Sequence, residues 1–312
     1  MRPEGSPLTG LRTILAKEAA DHLTSARMGF LQLLIALAGG GAVYVGIEAI
    51  REKSAEDPFL LLRLFTAAQD PLPSFVAFLG FLVPLAAIAL GFDAVNTEFS
   101  RRTLSRILAQ PVYRDAFLFG KFLAALLTLA VSLLALWLLV AGLGMLLLGV
   151  PPSGEEVLRS LVFFIATIAY AAVWLSLALL FSTIFRQPAT SAFAALAVWL
   201  VLTVFWPMIT GLIAHGAGGE AAGIEGLTTE LWLSRLSPNT LYGEAALGLL
   251  HPDVRTLGPI FLYQLEGMVL GAPLPFGESF KLVWPQIVGL IAATILMFTA
   301  TYVIFQRQEI RA

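Results

Sequence analysis

The fold class expected from the sequence is all-α: one polytopic membrane domain over residues 1–312, crossing the bilayer six times. Three observations carry this. The 312 residues are 58% hydrophobic and 13% charged, about half the ~25% charge of an ordinary soluble domain, and mean hydropathy is +0.85. Six runs at roughly 28–48, 74–92, 116–149, 158–185, 189–214 and 282–305 are predominantly apolar, each near the ~20 residues that cross a bilayer core. The basic residues assort by side. With the N-terminus inside, Arg2, Arg12, Lys17, Arg27, Arg101, Arg102, Arg106, Arg114, Lys121, Arg186, Arg307 and Arg311 are internal, twelve of nineteen. Arg51, Lys53, Arg63, Arg159, Arg235, Arg255 and Lys281 lie outside, spread over more non-membrane chain. This fits a cell (inner) membrane protein with both termini cytoplasmic.

In chain order, residues 1–27 are too long and too acidic for the charged lead of a signal peptide. Ala36-Leu37-Ala38 mimics a cleavage site, but the apolar run continues to Ile47, so the first span is retained. Ser6-Pro7 has the form of a cap followed by a first-turn proline, and Leu11, Leu15, Ala19, Leu23 and Ala26 recur at helical spacing, predicting an N-terminal interfacial helix. The third run exceeds a bilayer core, so its first turns, with Lys121, are expected to project into the cytoplasm. Pro84 and Pro207 predict bends in the second and fifth spans. Trp206 and Trp284 fall at the expected outer interface. Two groups of small residues, Gly39-Gly40-Gly41 with Gly46 and Ala141-Gly142 with Gly144, suit either close helix packing or a lipid face.

Between the fifth and sixth spans, residues 215–281 are too many for a plain connection. Ser237-Pro238 again reads as cap plus proline ahead of Leu241, Ala245 and Leu249, and the stretch 260–270 is apolar enough to lie in the outer leaflet. Two or three short extracytoplasmic helices are expected there, without a separate domain.

The longest charged interruption on the inner side is 93–121. On a helix, Phe99, Leu104, Ile107 and Leu108 fall on one side and Arg101, Arg102, Ser105 and Arg106 on the other. Pro111 removes an amide donor and pushes Gln110 out of helical geometry, so the helix should stop there. Composition alone allows a solvated loop whose arginines mark the inner side, or a docking element.

The chemistry that is missing narrows the function. There are no cysteines, which excludes disulfides and thiolate catalysis. A net charge of -2 argues for no nucleic-acid partner. The six apolar cores hold no Asp, Glu, Lys, Arg or His apart from ends such as Glu48 and Lys121, whereas a proton-coupled carrier keeps such groups in the membrane. No phosphate-binding loop is present: Gly120-Lys121 is followed by Phe122 and lacks the upstream glycine. No H-E-x-x-H or G-x-S-x-G occurs, and His22, His215 and His251 are scattered. No enzyme activity, metal site or cofactor is expected in this chain, and energy must enter through another subunit unless the protein is passive.

The order Glu98, Thr103-Leu104, Ala109-Gln110-Pro111-Val112, Arg114 and Gly120-Lys121 resembles the loop between the second and third spans of type-2 ABC transporter permeases. That family more often has glycine just before the Thr-Leu pair, where this chain has Arg102. Phe181-Ser182-Thr183-Ile184-Phe185-Arg186 and the tail 305–311 are similar to the same family. So is Ser237-Pro238-Asn239-Thr240-Leu241-Tyr242 with Ala245 and Leu249-Leu250, which also resembles the permeases of the copper-site maturation exporter for nitrous oxide reductase. The resemblance implies a cytoplasmic coupling helix, with Glu98, Arg101, Arg102 and Arg106 as its ATPase-coupling residues. It further implies two copies of an ABC ATPase subunit that bind ATP and Mg, and a second permease chain, identical or related, completing an export pathway in the lipid bilayer. The alternative from another class is a membrane-anchored scaffold or enzyme subunit that acts through 215–281.

Overall fold

A computed structural model describes residues 10–52, 59–68, 74–104, 109–110, 112–149, 151–216, 223–258 and 273–308. Among them the chain is helical, without a strand. An N-terminal helix, Leu11–Leu23, precedes the first span, Ala26–Glu52. The second span is Phe75–Gly91, the third Arg114–Leu148, the fourth Gly154–Ile184 and the sixth Phe276–Arg307. The fifth runs through Pro188–Leu200, a π-helical turn at Val201–Phe205, and Trp206–Gly216. Six helices are thus long and apolar enough to cross a membrane, at the positions the apolar runs indicate. The Ser6-Pro7 cap, the stretch 260–270 and the end of the tail lie outside the described residues.

The fourth span begins four residues before the apolar run, because its charged first turns are satisfied internally. The Ser153 hydroxyl accepts from the Glu156 amide at 3.2 Å while the Glu156 carboxylate accepts from the Ser153 amide at 2.8 Å, a capping box. The same carboxylate accepts from the Leu61 amide at 2.7 Å, closing the start of a short helix at Leu60–Thr66. Arg159 is fully buried. Its guanidinium meets Glu155 at 2.8 Å, donates to the Leu249 carbonyl at 3.2 Å and Ser279 Oγ at 3.0 Å, and bonds the Leu274 carbonyl. Reading Arg159 as a plain marker of the outer side is therefore incomplete: it stitches three stretches of chain together.

Both prolines leave a backbone carbonyl without a donor, and in each case a hydroxyl from elsewhere supplies one. Pro84 cannot donate to Gly80, and the Tyr170 hydroxyl of the fourth span donates to that carbonyl at 2.9 Å. The Asn239 side-chain amide lies 3.2 Å from the same hydroxyl. In the fifth span Trp206 donates back five residues to Val201. Leu202 would then need the amide of residue 207, which is proline, and Ser237 Oγ donates to it instead at 2.9 Å.

Ser237 and Asn239 belong to the start of the helix Pro238–Leu250. That start meets the midpoint of the fifth span, and the Tyr242 ring stacks on Tyr170, midway along the fourth, with centroids 4.4 Å apart. Tyr242, Ala245, Ala246, Leu249 and Leu250 are buried. This helix, one of the short helices expected between the fifth and sixth spans, enters the bundle beside the second, fourth and sixth spans. Glu244 pairs with Arg235 at 2.9 Å and accepts from Gln286 of the sixth span at 2.8 Å. A neighbouring helix, Gly223–Ser234, receives the Trp206 indole N–H on its Leu233 carbonyl.

The two small-residue groups divide. A Cβ on Gly39 would meet Leu136 at 2.4 Å, and on Gly144 or Gly46 would meet Leu64 at 2.2 or 2.9 Å, so these admit close packing. Gly40, Gly41 and Gly142 face open space.

Candidate partner-coupling site

At the basic end of the bundle a second, smaller core gathers Ile14, Val95, Leu104, Phe117, Leu118, Leu179 and Phe305. The Phe117 and Phe305 rings stack at 5.7 Å. Residues from both ends of the chain meet here, so the described termini lie at one end of the molecule. On this core rests a short helix, Asn96–Ser100. Arg27 of the first span donates to the Ala89 carbonyl at 2.7 Å and holds Asp93 with both nitrogens, at 3.1 and 2.8 Å, placing a cation at the C-terminus of the second span. Ser182 of the fourth span then accepts from the Val95 and Asn96 amides at 2.9 and 3.3 Å, satisfying donors at the start of the short helix. The Arg186 guanidinium lies 5.6 Å from the Phe99 ring centroid. The stretch 181–186, noted in the sequence for its resemblance alone, is the clasp of this loop.

The helix expected from Phe99 up to the stop at Pro111 is interrupted. It ends at Ser100 with Arg101 as its cap, and Arg102 takes the left-handed conformation, φ 56°. The Thr103 amide donates to the Glu98 carbonyl and the Arg102 amide to the Phe99 carbonyl, both at 3.0 Å. This is the two-bond Schellman closure of a helix end, which favours glycine at the position Arg102 occupies. The left-handed backbone costs a side-chain-bearing residue about 1–2 kcal/mol. The Thr103 hydroxyl adds a bond to the Glu98 carboxylate.

The four expected site residues are therefore not placed alike. Arg101 and Arg102 are exposed at the turn, with Leu104 buried beneath and Phe99 half-buried. Glu98 faces inward to Thr103 and to Lys121 at 3.5 Å. Arg106 lies outside the described residues, as do Ser105, Ile107, Leu108 and Pro111. Lys121, expected to project into the cytoplasm, is buried with its side chain 4% exposed, 3.0 Å from Glu18 of the N-terminal helix. Gly120 makes room for that helix, since a Cβ there would meet Ile14 at 2.7 Å. Burial works against the Glu18 charge, but Lys121 and Lys17 outweigh it and hold the carboxyl below the usual carboxylate range. Burial likewise holds the His22 imidazole below its ordinary value, with Glu18 pulling the other way.

Glu18 and Ser182 were missed as site residues. A signal for the first existed: Lys121 sits in an apolar helix whose neighbours three and four away, Phe117, Leu118, Ala124 and Ala125, offer no carboxylate, so a partner had to come from another element. The site as built holds an exposed cationic turn on a rigid, internally paired support, an arrangement suited to protein contact.

A family model described as ABC-2 family transporter protein matches residues 12–310. The chain is 27% identical over 307 residues to a probable ABC transporter permease protein NosY of Stutzerimonas stutzeri, covering 95% of this chain and 97% of that one. It is 29% identical over 238 residues to the probable NosY permease of Pseudomonas aeruginosa, covering 74% and 78%.

Proposed function

Because the chain belongs to the ABC-2 transporter family, we propose that it is the membrane subunit of an ATP-driven exporter, worked by a separate ATPase that docks on the exposed Arg101–Arg102 turn. The observation that carries this is the support under that turn: a solvated loop that only marks the inner side needs no clasp from Ser182, no Glu98–Lys121 pair and no core of its own. The basic end is cytoplasmic, as the assortment of arginines and lysines requires, and the membrane is the inner one. The N-terminal helix lies at the interface, a reading supported by Leu23, an apolar side chain 49% exposed at its end. Two ATPase copies bind ATP and Mg, and this chain supplies no cofactor site.

Two permease chains, identical or related, enclose the pathway. The fifth span leaves Phe193, Met208 and Leu212 73%, 63% and 72% exposed, an apolar face suited to a second chain or to lipid. The likeness to NosY permeases supports membership of that subgroup. A scaffold acting through 215–281 is disfavoured, since Pro238–Leu250 is packed inside the bundle.

The test compares three forms in the same membranes: wild type, Arg101→Lys with Arg102→Lys, and Arg101→Glu with Arg102→Glu. If the arginines dock, the double Glu variant inserts normally but loses the ATPase on purification or uncouples its hydrolysis, because an unpaired interfacial charge costs about 2–5 kcal/mol. The double Lys variant is impaired only where the planar guanidinium is used. Wild-type coupling in the double Glu variant removes the docking assignment.

A further inference from the structure

Lys121 stands between two carboxylates that belong to different elements of the fold. Its ammonium lies 3.0 Å from Glu18 on the N-terminal helix and 3.5 Å from Glu98 on the loop helix, and 5.1 Å from the centroid of its own neighbour Phe117. Glu98 is held from behind by Thr103, the residue that closes the turn carrying Arg101 and Arg102. An unbroken chain of bonded groups therefore runs from the exposed turn, through Glu98 and Lys121, to Glu18.

We propose that Lys121 is a positioning residue that carries displacement of the Arg101–Arg102 turn into the N-terminal helix, making that helix a moving part of the coupling machinery. The inference rests on the docking of an ATPase at that turn. Its physical reason is the cost of parting buried charges. Pulling Glu98 away from Lys121 strands charge in a site shielded from water, which is strongly unfavourable. The cheaper response to a push on the turn is for Glu98, Lys121 and Glu18 to shift together. Helix packing reinforces this, because the N-terminal helix is seated at Gly120, next to Lys121. Lysine suits the role, since three donors on a flexible stem can serve two carboxylates at once.

The experiment uses the full chain with its ATPase in membranes and a reporter cysteine at Ala20, an exposed position of the N-terminal helix in a chain with no cysteine of its own. The readout is maleimide labelling of the permease chain with and without ATP. The expected nucleotide effect in the otherwise wild-type chain is on the order of tenfold, within the usual range of coupling between sites. Lys121→Met and Glu18→Gln should abolish the effect while the ATPase still co-purifies, and Lys121→Arg should keep it. Glu18→Gln leaves Lys121 paired with Glu98, so the test does not hang on whether the methionine variant folds. A full nucleotide response in Glu18→Gln or Lys121→Met, or none in the wild-type background, overturns the proposal. Failure of the docking reading shows itself separately, as normal ATPase coupling in the Arg101→Glu, Arg102→Glu chain, and takes this proposal with it.

Discussion

Arg102 occupies a backbone conformation that favours glycine, and the two properties of the residue are separable. Its φ of 56° closes the Schellman turn, while its exposed side chain contributes charge. Arg102→Gly should relieve the left-handed strain, offset partly by the greater freedom of glycine in the unfolded chain. The net gain is about 1 kcal/mol, read as roughly fivefold slower hydrogen exchange at the Thr103 amide. Unchanged or faster exchange there would show that the turn is not strained. The departure from glycine was visible in the sequence through the family resemblance. That the position is left-handed was not, because an arginine before Thr-Leu fits equally well in a continuing helix. Lys121 teaches the complementary lesson. Its burial follows from two carboxylates, one 103 residues before it and one 23 residues before it, and no local pattern marks either as its partner.

At the scale of elements, the second and fifth spans, interrupted by Pro84 and Pro207, each depend on a hydroxyl brought by a different part of the chain. Tyr170→Phe leaves the buried Gly80 carbonyl without its donor, a loss of about 1–3 kcal/mol. In a Pro84→Ala background the amide of residue 84 can rejoin the helix ladder and serve that carbonyl. The tyrosine should then matter less, giving a coupling of about 1 kcal/mol or more in a double-mutant cycle measured by denaturant unfolding in micelles. Strict additivity of the two changes would mean that the hydroxyl and the proline are unrelated. The breaks in the two backbone ladders were legible, since a proline within an apolar run removes an amide donor. Their partners were not, because Ser237 reads locally as a helix cap. It does cap Asn239, at 3.3 Å, but also fills the Leu202 carbonyl.

For the whole molecule, topology is the property on which the functional reading turns. With six spans and the described termini gathered at the basic end, that end should be cytoplasmic. Glu278, in the first turn of the sixth span at the opposite end, has its side chain 56% exposed, and Ser100 is exposed at the loop helix. In a chain without cysteine, Glu278→Cys should react with an impermeant maleimide added to whole cells, and Ser100→Cys only after the cytoplasmic face is opened. Ser237 is unsuitable as an outer reporter, since it is buried. The reverse labelling pattern would place the arginine turn outside, beyond reach of any ATPase.

Apolar length and charge asymmetry are local properties, and they were enough to determine the all-helical class and the six candidate spans within a few residues, and to single out the loop proposed to hold a partner site. The physical reason is that a bilayer core imposes a length and tolerates few charges, so these features are written continuously along the chain. The tertiary structure alone decided which of the polar residues are sealed inside. Arg159, Lys121, Glu18 and Ser182 find partners across 86 to 120 positions of sequence, and one of the short helices expected between the fifth and sixth spans packs into the bundle because Tyr242 and Asn239 meet Tyr170 there. Burial of a polar group is set by who stands opposite it, and that is known only once the helices have packed.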